Sequence, residues 1–141
     1  MILLDTNVVS ETMRPQSAES VRAWLNAQRT EDVFICMPVL AELRYGVESL
    51  PRGGRRRRLE EAVKNVEEAF ATRILPFDRA AAHEYGRIMA ERDRIGRATG
   101  TMDGLIAAIA SVHGATIATR DVHGFDGSRL DIIDPFSLPG P

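Results

Sequence analysis

The sequence predicts an α/β domain built on a mainly parallel central sheet, and three observations carry that reading. The runs "MILL", "DVFICM", "RILPF" and "ATIAT" are almost continuously apolar rather than alternating, as strands buried on both faces are. Stretches with helical spacing separate them, which is the pattern of parallel strands joined by crossover helices. No repeat, low-complexity segment or linker divides the chain, so residues 1–141 read as a single domain. A chain of 141 residues can bury a core without disulfide or metal staples.

"MILL" is the first buried strand. After a break at Pro15, "SAESVRAWLNAQ" places Val21, Trp24 and Leu25 at helical spacing, with Ser17 as its expected cap. "DVFICM" is the second strand, and Pro38 suits a first helical position. The following helix, "VLAELRYGVESL", sets Val39, Leu40, Leu43 and Val47 on one face. "LPRGG" ends it, and "RRRRLEEAVKNVEEAFA" carries Leu59, Val63, Val66 and Phe70 at helical spacing. "RILPF" is the third strand. Asp78 is the expected cap of "RAAAHEYGRIMAERDR", with Ala81, Tyr85, Ile88 and Met89 inward. Beyond the loop "IGRATGT", "MDGLIAAIASVH" is apolar almost all round, which predicts a buried helix, and Gly114 fits its C-terminal cap. "ATIAT" is the fourth strand, and "RLDIID" is a short edge strand before a Pro-rich tail.

Composition excludes several classes. A 44% hydrophobic and 27% charged chain is globular rather than disordered. No apolar run approaches the roughly 18 residues of a membrane span, and the first residues lack the basic region of a secretory signal. The single cysteine, Cys36, has no partner for an internal disulfide and suits a reducing compartment, so a cytoplasmic protein is expected. The net charge of −2 exerts no global pull on nucleic acid. However, Lys64 is the only lysine, and five arginines crowd into "RGGRRRR": Arg52 and Arg55 to Arg58. That run reads first as a solvated helix start paired with Glu60 and Glu61, and second as a contact for RNA phosphates.

The acids carry the chemistry. Asp5 ends the first strand, and Asp121 lies just past "ATIAT". Glu42 is near the start of the helix leaving the second strand, and Asp103 is in the first turn of the apolar helix. Ligands of open parallel sheets bind beyond the carboxyl ends of the strands, where a parallel arrangement brings all four together. Taken singly, Asp5 reads as a turn residue, Glu42 and Asp103 as helix N-terminal acids, and Asp121 as the end of a strand. Gathered on one rim, they repel until their pKa values rise or a cation neutralises them. An all-oxygen set favours magnesium or manganese over zinc, and such an ion suits phosphoryl chemistry. His83, His113 and His123 fit no ligand pattern. No phosphate-binding glycine loop or nucleophile elbow is present.

Four segments, "ILLDTNVVSE", "VLAELRYGV", "TMDGLIAAIA" and "IATRDVHGFDG", resemble the four ordered motifs of PIN-domain proteins, and among these the bacterial VapC-type and FitB-type toxins. The resemblance runs from Met1 to about Phe136. It implies a three-layer α/β/α PIN-like fold and a magnesium-dependent endoribonuclease, with manganese as a substitute. It maps the family's acidic quartet, as catalytic and metal-binding residues, onto Asp5, Glu42, Asp103 and Asp121, with Asp126 as an alternative for the fourth place. Asp5 and Asp103 would bind the ion directly, Glu42 would hold it or orient the water, and Asp121 would complete a second site. Thr6 and Thr119 are candidates to hold water at the ion, and β-strand propensity explains them equally. Arg120 could meet phosphate or a neighbouring acid. The resemblance further implies hydrolysis of RNA, transfer RNA included, to a 5′ phosphate and a 3′ hydroxyl. Its implied partners are a cognate antitoxin of a toxin–antitoxin pair and a second copy of the chain, with no membrane involved. The alternative is a PIN-like binding module that forms a repressor complex with a DNA-binding antitoxin and has little nuclease activity. An aspartyl-phosphate enzyme usually has a second Asp two residues after the first, a place that Asn7 occupies here.

Overall fold

The computed structural model describes residues 1–138; the end of the Pro-rich tail, 139–141, lies outside them. Five strands form one sheet: β1 (Ile2–Leu4), β2 (Val33–Cys36), β3 (Ile74–Leu75), β4 (Thr116–Ala118) and β5 (Ile132–Ile133). Their order is β3-β2-β1-β4-β5, and every pairing is parallel. The described residues form six α-helices: α1 (Thr6–Thr12), α2 (Glu19–Asn26), α3 (Met37–Glu48), α4 (Gly54–Ala69), α5 (Arg79–Arg94) and α6 (Thr101–His113). The arrangement is the three-layer α/β/α domain expected from the sequence. No helix among the described residues is long and apolar enough to cross a membrane.

The central strands are short because they are fully enclosed. Leu3, Ile35, Ile117 and Ala118 are inaccessible to solvent, and Val9, Val39, Ile106 and Ile109 close over them from the helices. Helix α6 is buried along most of its length, from Gly104 to Ala110, so its position is fixed by packing. Gly104 explains how closely α6 approaches α5. A Cβ there would lie 2.6 Å from Met89 Sδ and 2.9 Å from Tyr85 Cε2, so any larger residue would have to displace these side chains. Gly114 caps α6 in the left-handed conformation, φ 61°, as its sequence position predicts. Asp78 caps α5, its Oδ1 accepting from the Ala81 N–H at 2.9 Å.

Three expectations are corrected. "TNVVSET" was not anticipated as a helix, yet α1 begins at the residue after Asp5. Asp5 is its N-cap, and burial of Val8 and Val9 overrides their weak helix propensity. Ser17 does not cap α2: the N-cap is Ala18, which makes no side-chain cap bond, and the Ala18 N–H donates to the buried Glu11 carboxylate at 2.7 Å. The arginine run is not neutralised by Glu60 and Glu61. Glu60 lies 3.7 Å from Arg44, and Arg56 instead meets Glu48 at 2.8 Å.

Candidate active site

The chain enters the sheet at its centre. From β1 it builds β2 and β3 on one side, then β4 and β5 on the other, so the order of strands reverses at β1. Such a switch point opens a crevice beyond the carboxyl ends of the two strands involved, here β1 and β4. Asp5 directly follows β1, and Thr119 to Asp121 directly follow β4. Asp103 reaches the same rim from the first turn of α6, and Glu42 from the second turn of α3.

Hydrogen bonds between distant segments set the geometry. Asp5 is only 5% exposed, and both its oxygens are engaged. Oδ1 accepts from the Thr6 N–H at 2.8 Å, and Oδ2 accepts from the Thr119 hydroxyl at 2.7 Å and from Asn7 Nδ2 at 3.4 Å. The Thr119 hydroxyl in turn accepts from Asn7 Nδ2 at 3.2 Å and from the Asp121 N–H at 3.0 Å. Asn7 Oδ1 accepts from the Arg120 N–H at 3.1 Å. The "DTN" and "TRD" corners therefore interlock. Across the crevice, the Thr6 hydroxyl donates to Glu42 Oε1 at 2.6 Å. Each threonine offered by the sequence as a holder of water holds a carboxylate in the structure.

Asp121 caps a 3₁₀ turn at Val122–Phe125, its Oδ1 accepting from the Gly124 N–H at 3.1 Å. A Cβ on Gly124 would stand 2.9 Å from Asp121 Oδ2 and 3.0 Å from Asp103 Oδ2. The missing side chain at Gly124 is what leaves room for these two carboxylates to face each other.

The charges of the other three acids converge on Asp103. Burial, then the charges of Asp5, Asp121 and Glu42, push the Asp103 carboxyl up to about 6, with Arg92 opposing. Burial also raises Asp5, and Asp121 adds to it, while the hydrogen bonds from Thr119 and Thr6 hold it down. The neutral form is favoured wherever an ionised carboxylate is desolvated beside its own kind.

Arg92 was not foreseen. It is 2% exposed, donates to the Thr99 hydroxyl and the Asp126 carbonyl, and meets no carboxylate within ion-pair distance among the described residues. It ties the loop before α6 to the turn after β4, between which Asp103 and Asp121 lie. The signal was present in the spacing: Ala81, Tyr85, Ile88 and Arg92 continue one inward stripe of α5. Asp126 is occupied elsewhere, 3.0 Å from His123 Nδ1 and 3.7 Å from Arg97, so Asp121 is the acid that faces Asp103. Arg120 stacks on the Phe136 ring at 3.7 Å and pairs with no acid among the described residues. Cys36 is buried, and burial pushes its thiol up to about 12, which removes it as a nucleophile.

An all-carboxylate set in which burial and neighbouring charge raise Asp5 and Asp103 suits a hard divalent cation. As they stand, no three His, Cys, Asp or Glu side chains among the described residues converge closely enough to hold one. In this arrangement Asp5 bonds to Thr119, Glu42 to Thr6 and Asp121, through Oδ1, to Gly124.

Comparison with known proteins agrees with this architecture. Residues 2–126 match the PIN domain. The chain is 41% identical to the VapC ribonuclease Y4jK of Sinorhizobium fredii over 96% of its own length and 98% of that protein. It is 42% identical to toxin FitB of Neisseria gonorrhoeae, over 96% of its length and 99% of the relative. Its fold superposes on a chain in the structure of FitAB bound to an IR36 DNA fragment with a TM-score of 0.91, at 41% identity, covering 99% of this chain and 98% of the other. A central switch-point crevice lined by acids, a match across most of the chain and toxin relatives aligned over nearly their whole length place this protein in the PIN-domain family, beside the VapC and FitB toxins.

Proposed function

We propose that this protein is a metal-dependent endoribonuclease, the toxin of a toxin–antitoxin pair, with Asp5, Glu42, Asp103 and Asp121 as its site. The observation that carries the reading is the gathering of these acids at the β1–β4 crevice, where burial and then the charges of Asp5, Asp121 and Glu42 push Asp103 up to about 6. The relative named VapC ribonuclease supports the activity, and the relative named toxin FitB supports the biological role.

A magnesium or manganese ion, when bound, makes an attached water more acidic and offsets charge on phosphodiester oxygens. The chain's own residues define where that happens. Asp5 and Asp103 are assigned to hold the ion directly. The Thr119 hydroxyl and the Thr6 N–H hold the Asp5 carboxylate at the end of β1. Glu42 is steadied by the Thr6 hydroxyl and orients the attacking water or adds a ligand. Asp121 faces Asp103 across Gly124 and completes a second site. Cleavage leaves a 5′ phosphate and a 3′ hydroxyl.

The test is incubation of the purified protein, freed of any partner, with total bacterial RNA, transfer RNA included. Lanes contain magnesium, manganese, chelator, or Asp5→Asn protein with metal. Discrete fragments that require both metal and Asp5 are expected. Cleavage that persists in chelator or in Asp5→Asn would reject the assigned site. A second reading, a binding module that serves chiefly in a repressor complex, draws on the similarity to a chain of FitAB on DNA. Absence of cleavage in every lane, with retained DNA binding of the complex, would favour it.

A further inference from the structure

The arginines of "RGGRRRR" take no part in the acidic site, and the structure removes the bland account of them. Of the five, only Arg56 reaches a carboxylate among the described residues: it donates to Glu48 Oε2 at 2.8 Å and to the Leu50 carbonyl at 3.2 Å, pinning the start of α4 to the end of α3. Arg52, Arg55, Arg57 and Arg58 are exposed and have no acidic partner among the described residues. Helix stability does not account for them either. They stand just before α4 and within its first five residues, whose first turn holds no acidic residue, at the helix end where the macrodipole disfavours cations. Arg55 and Arg58 are also like charges three residues apart, which repel on a helix surface. The Arg57 and Arg58 guanidiniums gather over one spot, 3.9 Å and 3.0 Å from the position a Cβ would take on Gly54.

The direction of α4 gives this surface its meaning. The short link 70–73 joins α4 to β3, which is parallel to β2. The C-terminal end of α4 therefore lies near the amino end of β3, and its first turn stands about 24 Å away along the helix axis, beside the end of α3. Helix α3 links the two features. Glu42 faces the acidic crevice, and Glu48, about 9 Å further along at 1.5 Å per residue, grips Arg56. An acidic crevice on a chain of net charge −2 repels a polyanion, so a phosphodiester needs a cationic surface close by to be drawn in. Guanidinium forks suit phosphate oxygens in two-point contacts that an ammonium cannot make.

We propose that Arg52, Arg55, Arg57 and Arg58 form the docking surface for the backbone of single-stranded RNA leading to the acidic crevice. The proposal rests on the ribonuclease reading and adds to it the place where the substrate is gripped.

The test measures binding and cleavage separately. A fluorescent single-stranded RNA oligonucleotide is titrated, in chelator and over a range of salt, with the wild-type protein and with a variant carrying Arg52→Gln, Arg55→Gln, Arg57→Gln and Arg58→Gln. Glutamine keeps helix propensity, and a melting curve no lower than wild type verifies the fold. The variant should bind at least tenfold more weakly at 0.15 M salt. Its log–log salt dependence should be shallower by about 2–3 if three or four phosphates are released, at roughly 0.7 per contact for a single strand. In magnesium, KM for RNA should rise by a similar factor with kcat unchanged. Equal affinity and equal salt slope in the two proteins would overturn the proposal. So would a variant that keeps RNA affinity but loses binding to poly-glutamate, which would assign the surface to an acidic protein. Wild-type cleavage alongside an unaffected variant rejects the arginine surface and leaves the nuclease standing. Arginine-dependent RNA binding without cleavage in magnesium or manganese rejects the nuclease and leaves the surface standing.

Discussion

Asp103→Asn should make the metal-free protein more stable while abolishing its RNA cleavage. The Asp103 carboxyl stands at about 6 against an ordinary 3.8, chiefly because it is half-buried and then because three other acids face it. At about 1.4 kcal/mol per pKa unit, that displacement corresponds to roughly 3 kcal/mol of strain in the ionised form at neutral pH. The group is partly exposed, so solvent screening reduces the figure to roughly 1.5 kcal/mol. Loss of an anion from the first turn of α6 costs about 0.5 kcal/mol in return. The net gain is about 1 kcal/mol. Unfolding entropy of about 2.1 cal/mol/K per residue, over 141 residues, converts this to a rise in Tm of about 3 °C at pH 7.5 in chelator. The pH dependence has a definite sign. A carboxyl whose folded pKa is raised contributes stability that is present below about 4 and lost as pH rises through about 6. The difference between variant and wild type should therefore grow between those values and vanish at pH 3.5. Magnesium should reverse the ranking. For a site of roughly millimolar affinity, 10 mM magnesium adds about 1.4 kcal/mol to the wild type by mass action and nothing to the variant. Differential scanning fluorimetry across pH, with and without metal, reads all of this. A variant that is less stable in chelator, or that gains the same Tm from magnesium, would refute the reasoning.

Two further perturbations probe the supports of the site. Gly124→Ala places a methyl 2.9 Å from Asp121 Oδ2 and 3.0 Å from Asp103 Oδ2, so the two carboxylates must move apart. Cleavage should fall by about 100-fold, the usual consequence of displacing reacting groups by about an ångström, with Tm within a few degrees of wild type; full activity would contradict the assignment of that pair. Arg92→Met removes the cation that opposes the rise of Asp103, so the acid limb of the pH–rate profile should move to higher pH, and hydrogen exchange should quicken in residues 95–100 and 122–128. An acid limb that moves to lower pH would show that Arg92 does not act on Asp103.

The sequence by itself determined which segments are strands and helices and that acids stand where strands end and helices begin. These are local properties. An unbroken apolar run such as "MILL" has only the buried centre of a sheet to occupy, and "GLIAAIA" can only be an enclosed helix. Even so, the local reading missed α1, because two valines have weak helix propensity and only their burial under tertiary contacts makes the helix worthwhile. It also misjudged Ser17, since the Ala18 N–H is satisfied by Glu11 rather than by a cap.

Tertiary structure alone decided how the acids are held. The Thr6–Glu42 bond joins residues 36 apart in the chain, and the Thr119–Asp5 bond joins residues 114 apart. No pattern within a window of ten residues encodes such a partner. The pairing exists because β1 lies between β2 and β4, which brings the corner after β1 against both α3 and the corner after β4. The same placement strips solvent from Asp5 and Asp103 and sets like charges beside them, so the ionised form of a carboxylate unremarkable in the sequence becomes disfavoured. It also left four arginines of α4 and its leading loop without acids to meet among the described residues, a property of what surrounds them rather than of the run itself.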